Sequence, residues 1–306
     1  MSETIKFTTR NAKATTKYFL ACYSLIQDAQ YNLHLLTTDK KEAFRNWLMS
    51  FDSDGIKEID YSHNRHFSIA CKEYTPNCFF MKFAKHKGTT VTQKTQNDFV
   101  LAKIDDYPNC KIFINTDKNT MLIEHNLDVA DTVLNTKKII EGVIRKDIRF
   151  KGYSIDIELI TKPIDFWNYV NDNIGKITSV EFTLVRPNFL EGIPTVTDYV
   201  NGFSSYNIES VTTKLQNKDG NLSLSPANSF INDALGYCSA GAGKWSVSAK
   251  GKKRKKSSED TPIFFDLPSD IESLTQNKIH ELNAFFSSVD QIVNENKEIN
   301  HEKNTV

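Results

Sequence analysis

Lys250, Lys252, Lys253, Arg254, Lys255 and Lys256 place six cations in seven consecutive positions around Gly251. Cations at that density attract a polyanion, because each phosphate they neutralise releases a condensed counterion. The same run equally suits a loop that only solubilises the surface. A second basic stretch lies upstream. Over residues 137–151, Lys137, Lys138, Arg145, Lys146, Arg149 and Lys151 stand against Glu141 and Asp147, a net charge of +4. This stretch reads as a helix running towards a strand, and arginine near a helix end can grip phosphate. Both stretches are candidate nucleic-acid-binding surfaces. The chain of 306 residues is nevertheless neutral, with 38 basic and 38 acidic side chains. The balance is restored over residues 257–306, where ten acids face three lysines, a net of −7. Such a tail could shield either basic stretch until it is displaced.

Other residue patterns point away from chemistry. Ser239-Ala240-Gly241-Ala242-Gly243-Lys244-Trp245 resembles a phosphate cradle. A Walker A loop needs glycine five residues before the Gly-Lys pair and a hydroxyl after it. Cys238 and Trp245 occupy those places, and a helix precedes the loop where a strand should, so a tight helix-to-strand connection is expected. His63 and His66 are spaced i, i+3 without an H-E-x-x-H pattern, which predicts a solvated turn rather than a metal centre. Asp52-Ser53-Asp54-Gly55 starts like a calcium loop but lacks the later ligands. Asp105-Asp106, ahead of Tyr107-Pro108, reads as a loop. No G-x-S-x-G occurs. The five cysteines, Cys22, Cys71, Cys78, Cys110 and Cys238, form no C-x-x-C pair. Their odd number and wide spacing predict reduced, mostly buried thiols of a cytoplasmic protein. No catalytic residue, metal site or cofactor is assigned.

The elements that must position these residues follow from periodicity. Residues 15–30 are apolar at helical spacing through Tyr18, Phe19, Cys22, Leu25 and Ile26. A short helix behind Asp39 runs through Ala43, Phe44, Trp47 and Leu48. Residues 66–73 and 78–85 form a hairpin across Tyr74-Thr75-Pro76-Asn77, and residues 111–115 and 121–125 form a second across 116–119. Residues 128–145 and 164–174 read as helices, and 153–160, 179–185, 208–216 and 245–249 as strands. Ser225-Pro226 opens another helix through Phe230, Ile231, Ala234 and Leu235. Beyond residue 270, Ile279, Leu282, Phe286, Val289 and Val293 are spaced 3-4-3-4, the seam of a helix that docks on its own core or on a second copy.

The class expected is α+β. Two small mixed domains of antiparallel hairpins and packed helices cover 1–150 and 151–250. A basic mobile loop at 251–262, a helical segment at 263–293 and a disordered tail at 294–306 complete the chain. No apolar run is long enough to span a membrane, and the first residues lack the apolar centre of a secretory signal.

Several stretches occur together in this order. His66-Phe67-Ser68-Ile69 precedes Phe79-Phe80-Met81-Lys82-Phe83, then Tyr107-Pro108 and the hairpin over 112–123. Next come Ser179-Val180-Glu181-Phe182-Thr183-Leu184-Val185-Arg186-Pro187-Asn188-Phe189, residues 208–216 and Asp219-Gly220. With the helical leader, this succession resembles the RexA component of lambda-type phage exclusion systems and related phage-resistance proteins. It spans roughly the first 240 residues by order of elements; the basic run and the acidic tail have no counterpart in it. The resemblance implies a cytoplasmic two-domain protein that binds DNA through basic surface and self-associates as a dimer. It further implies a sensor of phage replication or recombination intermediates that signals to a membrane partner. It supplies no catalytic residues.

The expected function is therefore a non-enzymatic, dimeric sensor or effector of antiviral, abortive-infection-type defence, binding the DNA backbone with little sequence specificity. One alternative is a metal-dependent nuclease or nucleotide-processing effector, which needs converging carboxylates and a divalent ion. Another is a non-catalytic interaction subunit built on the 279–293 seam. The partners expected are DNA, a second copy of the chain and a protein encoded nearby.

Overall fold

β2 (Thr15–Gln27) follows the short strand β1 (Thr4–Lys6) and is apolar on both faces. Tyr18 and Leu20 point into one cluster, while Phe19, Ala21, Tyr23 and Leu25 point into another. A strand buried on both sides is a near-continuous apolar run, which helical spacing also matches. The helix expected over residues 15–30 is thus a strand over its described part. The computed structural model describes residues 4–6, 15–27, 40–62, 65–148, 152–185, 194–203, 208 and 210–269.

α1 (Lys40–Asp54) buries Phe44, Trp47, Leu48 and Phe51, an amphipathic stripe that agrees with the sequence reading. β3 (Lys57–Ser62), β4 (Arg65–Thr75) and β5 (Cys78–Lys85) follow as an antiparallel meander. The tight turn between β4 and β5 is Pro76-Asn77, with Asn77 at φ 64°, a left-handed conformation that asparagine tolerates. Among the described residues, β6 (Lys87–Lys94) and β7 (Phe99–Asp106) pair only with each other, as a ribbon. Asp105 and Asp106 therefore end a strand rather than lie in a loop. The ribbon exposes Phe99 and Leu101. β8 (Asn109–Asn115) and β9 (Thr120–Glu124) form the second expected hairpin.

α2 (Val133–Ile148) begins later than expected and packs on the same sheet face as α1. Asp147 joins them: Trp47 Nε1 donates to Asp147 Oδ2 at 2.7 Å, and Lys57 Nζ lies 2.7 Å from the same carboxylate. β10 (Tyr153–Leu159) alternates as its sequence predicts. α3 (Pro163–Asp172) carries proline at its start, where no donor is lost. β11 (Ile177–Val185), α4 (Pro194–Asn201) and β12 (Ser210–Gln216) lead to α5 (Ser229–Tyr237). Asn228 caps α5 by accepting from Ile231 N, so Pro226 lies before the cap rather than in the first turn. A π turn over residues 238–242 enters β13 (Gly243–Ala249), and β14 (Lys256–Ser257) and β15 (Phe264–Pro268) complete the described chain.

The strands make a nine-stranded sheet ordered β1-β15-β2-β9-β8-β5-β4-β3, with β10 also on β2, and a four-stranded sheet ordered β12-β11-β13-β14. The fold is α+β, and all pairings but β1 with β15 are antiparallel. The first sheet crosses the boundary expected at residue 150. β10 supplies Tyr153, Ile155, Ile157 and Leu159 to the core under α1 and α2. β15 shares the same edge of β2, where Leu20 N donates to Ile263 O, Ile263 N to Ile160 O and Ile160 N to Leu20 O. Residues 264–268 are accordingly strand, not the start of a helical segment. The 279–293 seam and the tail lie outside the described residues.

The second sheet packs Phe182, Leu184, Trp245 and Val247 against Phe166 of α3 and Ala234 and Leu235 of α5. Side chains of this size each contribute about 1.5–3 kcal/mol when fully buried. The π turn locks the two sheets together. Gly241, at φ 79°, leaves room for Cys22 of β2: a Cβ there would stand 2.5 Å from the Cys22 Cβ.

Candidate nucleic-acid interface

Three connections meet at one end of the second sheet, where β11 begins and β12 and β13 end. The turn before β11 carries Lys176, the turn after β12 carries Lys218, and the turn after β13 carries Lys250, Lys252 and Lys253. Backbone hydrogen bonds hold the turns together. Lys250 N donates to Lys176 O at 2.7 Å, Asn217 N to Thr178 O at 2.8 Å and Leu222 N to Ile177 O at 3.2 Å. Gly220 takes φ 86°, the left-handed conformation that glycine adopts at little cost, in van der Waals contact with the Lys176 backbone. All five lysines are exposed, and among the described residues none has an ion-pair partner. Asp219 is exposed next to Lys218, and Asp172 is exposed four residues before Lys176.

The outward face of the sheet continues this end. Along β11, buried Val180, Phe182 and Leu184 alternate with half-buried Glu181 and Thr183, while Ser179 is itself buried. Register sets Lys214 and Ser246 on either side of Glu181, and Thr212 and Lys244 on either side of Thr183. Hydroxyl and ammonium groups in rows can meet phosphate oxygens without reading bases.

The basic run is more ordered than a mobile loop. Ser257 and Asp260 form a capping box in which Ser257 Oγ accepts from Glu259 N and Asp260 Oδ2 accepts from Ser257 N. Arg254 Nη2 lies 2.7 Å from Asp260 Oδ1, yet its side chain stays 83% exposed. Lys255 Nζ is 3.6 Å from Glu181. Lys256 is half-buried at the start of β14.

Among the described residues, the upstream stretch does not form one basic face. Lys137 falls on the buried stripe of α2 with Thr136, Ile140 and Ile144. Its Nζ lies 2.9 Å from Glu158 Oε2 and 3.8 Å from Glu259 Oε1. Burial draws the Lys137 ammonium down, but Glu158, Glu141 and Glu259 outweigh it and hold the group above its ordinary value. Arg145 donates through Nε and Nη2 to Ile155 O and through Nη2 to Glu141. Lys146 donates to the Asp60 carbonyl oxygen. Lys138 is exposed, and Arg149 and Lys151 lie outside the described residues. The four described charges of this stretch are thus divided by helix periodicity and by the fold of β10.

Carboxylates do converge here, on cations rather than on an open cleft. Glu141 and Asp156 lie 2.9 and 3.6 Å from Arg145. Burial pushes the Glu141 carboxyl up, and Asp156 adds to it. Among the described residues, no group of three or more His, Cys, Asp or Glu side chains could hold a metal ion. His66 Nδ1 sits 2.5 Å from Asp60 Oδ1, and His63 lies outside the described residues. The five cysteines are unbridged; burial pushes the Cys110 thiol up to about 12. The residues 238–242 that looked like a phosphate cradle are buried. Among the described residues, no helix is long and apolar enough to cross a membrane.

Lys176 and Lys218 escaped the sequence reading. The available signal was the glycine turn at Lys218-Asp219-Gly220, but nothing local says which turns share a sheet end. No protein-family model matches the chain, and no curated protein matches it.

Proposed function

We propose that this protein binds the sugar–phosphate backbone of DNA through the basic end of its second sheet, with little sequence specificity. The convergence of Lys176, Lys218, Lys250, Lys252 and Lys253 at one end of that sheet, without ion-pair partners among the described residues, carries the reading. Ammonium groups held in reach of one another neutralise successive phosphates, and the released counterions drive binding. The wider role, a non-enzymatic and dimeric cytoplasmic sensor or effector of antiviral defence, rests on the likeness to the RexA family.

The test is titration of a fluorescent duplex at several salt concentrations. Replacing Lys176, Lys218, Lys250 and Lys253 together with Ala weakens binding. It also flattens the plot of log affinity against log salt by about 0.9 for each phosphate that is no longer neutralised. The control replaces Lys87, Lys94, Lys103 and Lys118, which are exposed elsewhere. Equal weakening in the two variants would reduce the interface to net charge, and an unchanged titration in the first would remove it.

A further inference from the structure

A cleft of about 610 Å³ opens on the first sheet, at the edge of the layer formed by α1 and α2. α2 crosses the sheet in direct contact with Tyr61: a Cβ on Gly142 would stand 2.5 Å from the Tyr61 hydroxyl. Towards the start of α2, the ends of β3, β4 and β5 border the opening instead. Phe67 forms its floor, 1% exposed and stacked on Phe83 at 5.0 Å, with Tyr61 edge-on at 6.0 Å.

Three cations from three elements surround the opening. Arg65 starts β4, Lys85 ends β5 directly across from Phe67, and Lys138 lies on α2. Among the described residues none of the three has an ion-pair partner. Asp128 and Asp131 also line the cleft, with Asp131 accepting from Asn135 Nδ2 at 2.6 Å. Against these two carboxylates of the same lining, the three cations leave the cleft a net charge of +1, which favours an anion. Leu127, 70% exposed, adds an apolar wall. The volume falls within the roughly 300–1,000 Å³ of small-molecule sites.

We propose that this cleft binds a nucleoside monophosphate. The phosphate meets Arg65, Lys85 and Lys138, as charge-assisted hydrogen bonds favour. The planar base lies against Tyr61 and Leu127. Asp128 and Asp131 accept from amino or hydroxyl groups of the base or sugar. The site is built on the first sheet and does not depend on the DNA-binding reading of the second.

Calorimetric titration of the full chain with AMP, GMP, CMP and UMP tests it, alongside the corresponding neutral nucleosides and inorganic phosphate. At least one monophosphate saturates a single site, with its nucleoside and inorganic phosphate about tenfold weaker or more. Arg65→Gln and Lys138→Gln alter exposed side chains; each weakens that monophosphate about tenfold without moving the melting temperature. Inorganic phosphate binding as tightly as the nucleotides would leave a bare anion site and overturn the assignment. So would the absence of saturable heat with all four nucleotides, or indifference to both substitutions. Duplex affinity of Arg65→Gln is unchanged, which separates this outcome from a failure of the DNA interface.

Discussion

Lys137 on α2 and Glu158 on β10 form a buried ion pair, Nζ to Oε2 at 2.9 Å, with side-chain exposures of 5% and 8%. A lysine that local charge assigns to a phosphate-binding surface is instead part of the joint between α2 and β10. Removing the lysine leaves the Glu158 carboxylate buried without its partner. Lys137→Ala is expected to cost about 3–5 kcal/mol of stability, read from the urea midpoint. The double replacement Lys137→Met with Glu158→Leu recovers most of that stability, because well-packed apolar groups substitute for a buried pair. A Lys137→Ala protein as stable as the parent would contradict this role.

Glu181 neutralises part of the basic run through Lys255. Glu181→Gln releases that lysine towards phosphate. Duplex affinity at low salt should rise, and the salt slope should steepen by up to about 0.9, one further phosphate neutralised. Weaker binding in this variant would place the nucleic acid elsewhere.

Gly243 leaves β13 close to β11: a Cβ there would run into the Thr183 carbonyl oxygen. Backbone cannot swing aside as a side-chain tip can. Gly243→Ala should destabilise by about 1–3 kcal/mol through overpacking. Gly88→Ala on the ribbon meets nothing within 4 Å, and its effect should stay within about 0.5 kcal/mol. Comparable melting temperatures for the two variants would refute the distinction.

His125 supplies a pH signature. Burial, with Lys17 nearby, lowers its affinity for a proton below the ordinary value of 6.5. Its Nδ1 is buried with no hydrogen-bond partner among the described residues. The unfolded chain therefore takes up a proton before the folded one does. This residue's contribution is complete above about pH 6.5 and is lost as pH falls through the folded value. Glu124, Glu141 and Glu158 act in the opposite sense, because burial raises each of them. Comparing the parent with His125→Gln isolates the histidine: the melting-temperature advantage of the parent should shrink between pH 7.5 and pH 5.5, on either side of the ordinary histidine range. An advantage that grows on acidification would show the sign to be wrong.

Local patterns were enough for much of the scaffold. Pro76-Asn77 marks the β4–β5 turn, alternation from Tyr153 marks β10, and the stripe through Phe44, Trp47 and Leu48 marks α1. Each is decided by neighbours a few positions away, through backbone preference and a single buried face. The class α+β follows from those pieces, and so does the presence of a dense basic run after β13. Distant partners decided the rest. β2 is a strand because β9, β10 and β15 supply its hydrogen bonds, and clusters on both faces absorb its side chains. Lys137 is buried because β10 brings Glu158 and the turn after β14 brings Glu259 to its ammonium. Lys176 and Lys218 join the basic run because antiparallel pairing of β11 with β12 and β13 brings their turns to one end. Charge is a property of the residue, but its availability to a ligand depends on strand order and on which face each side chain occupies.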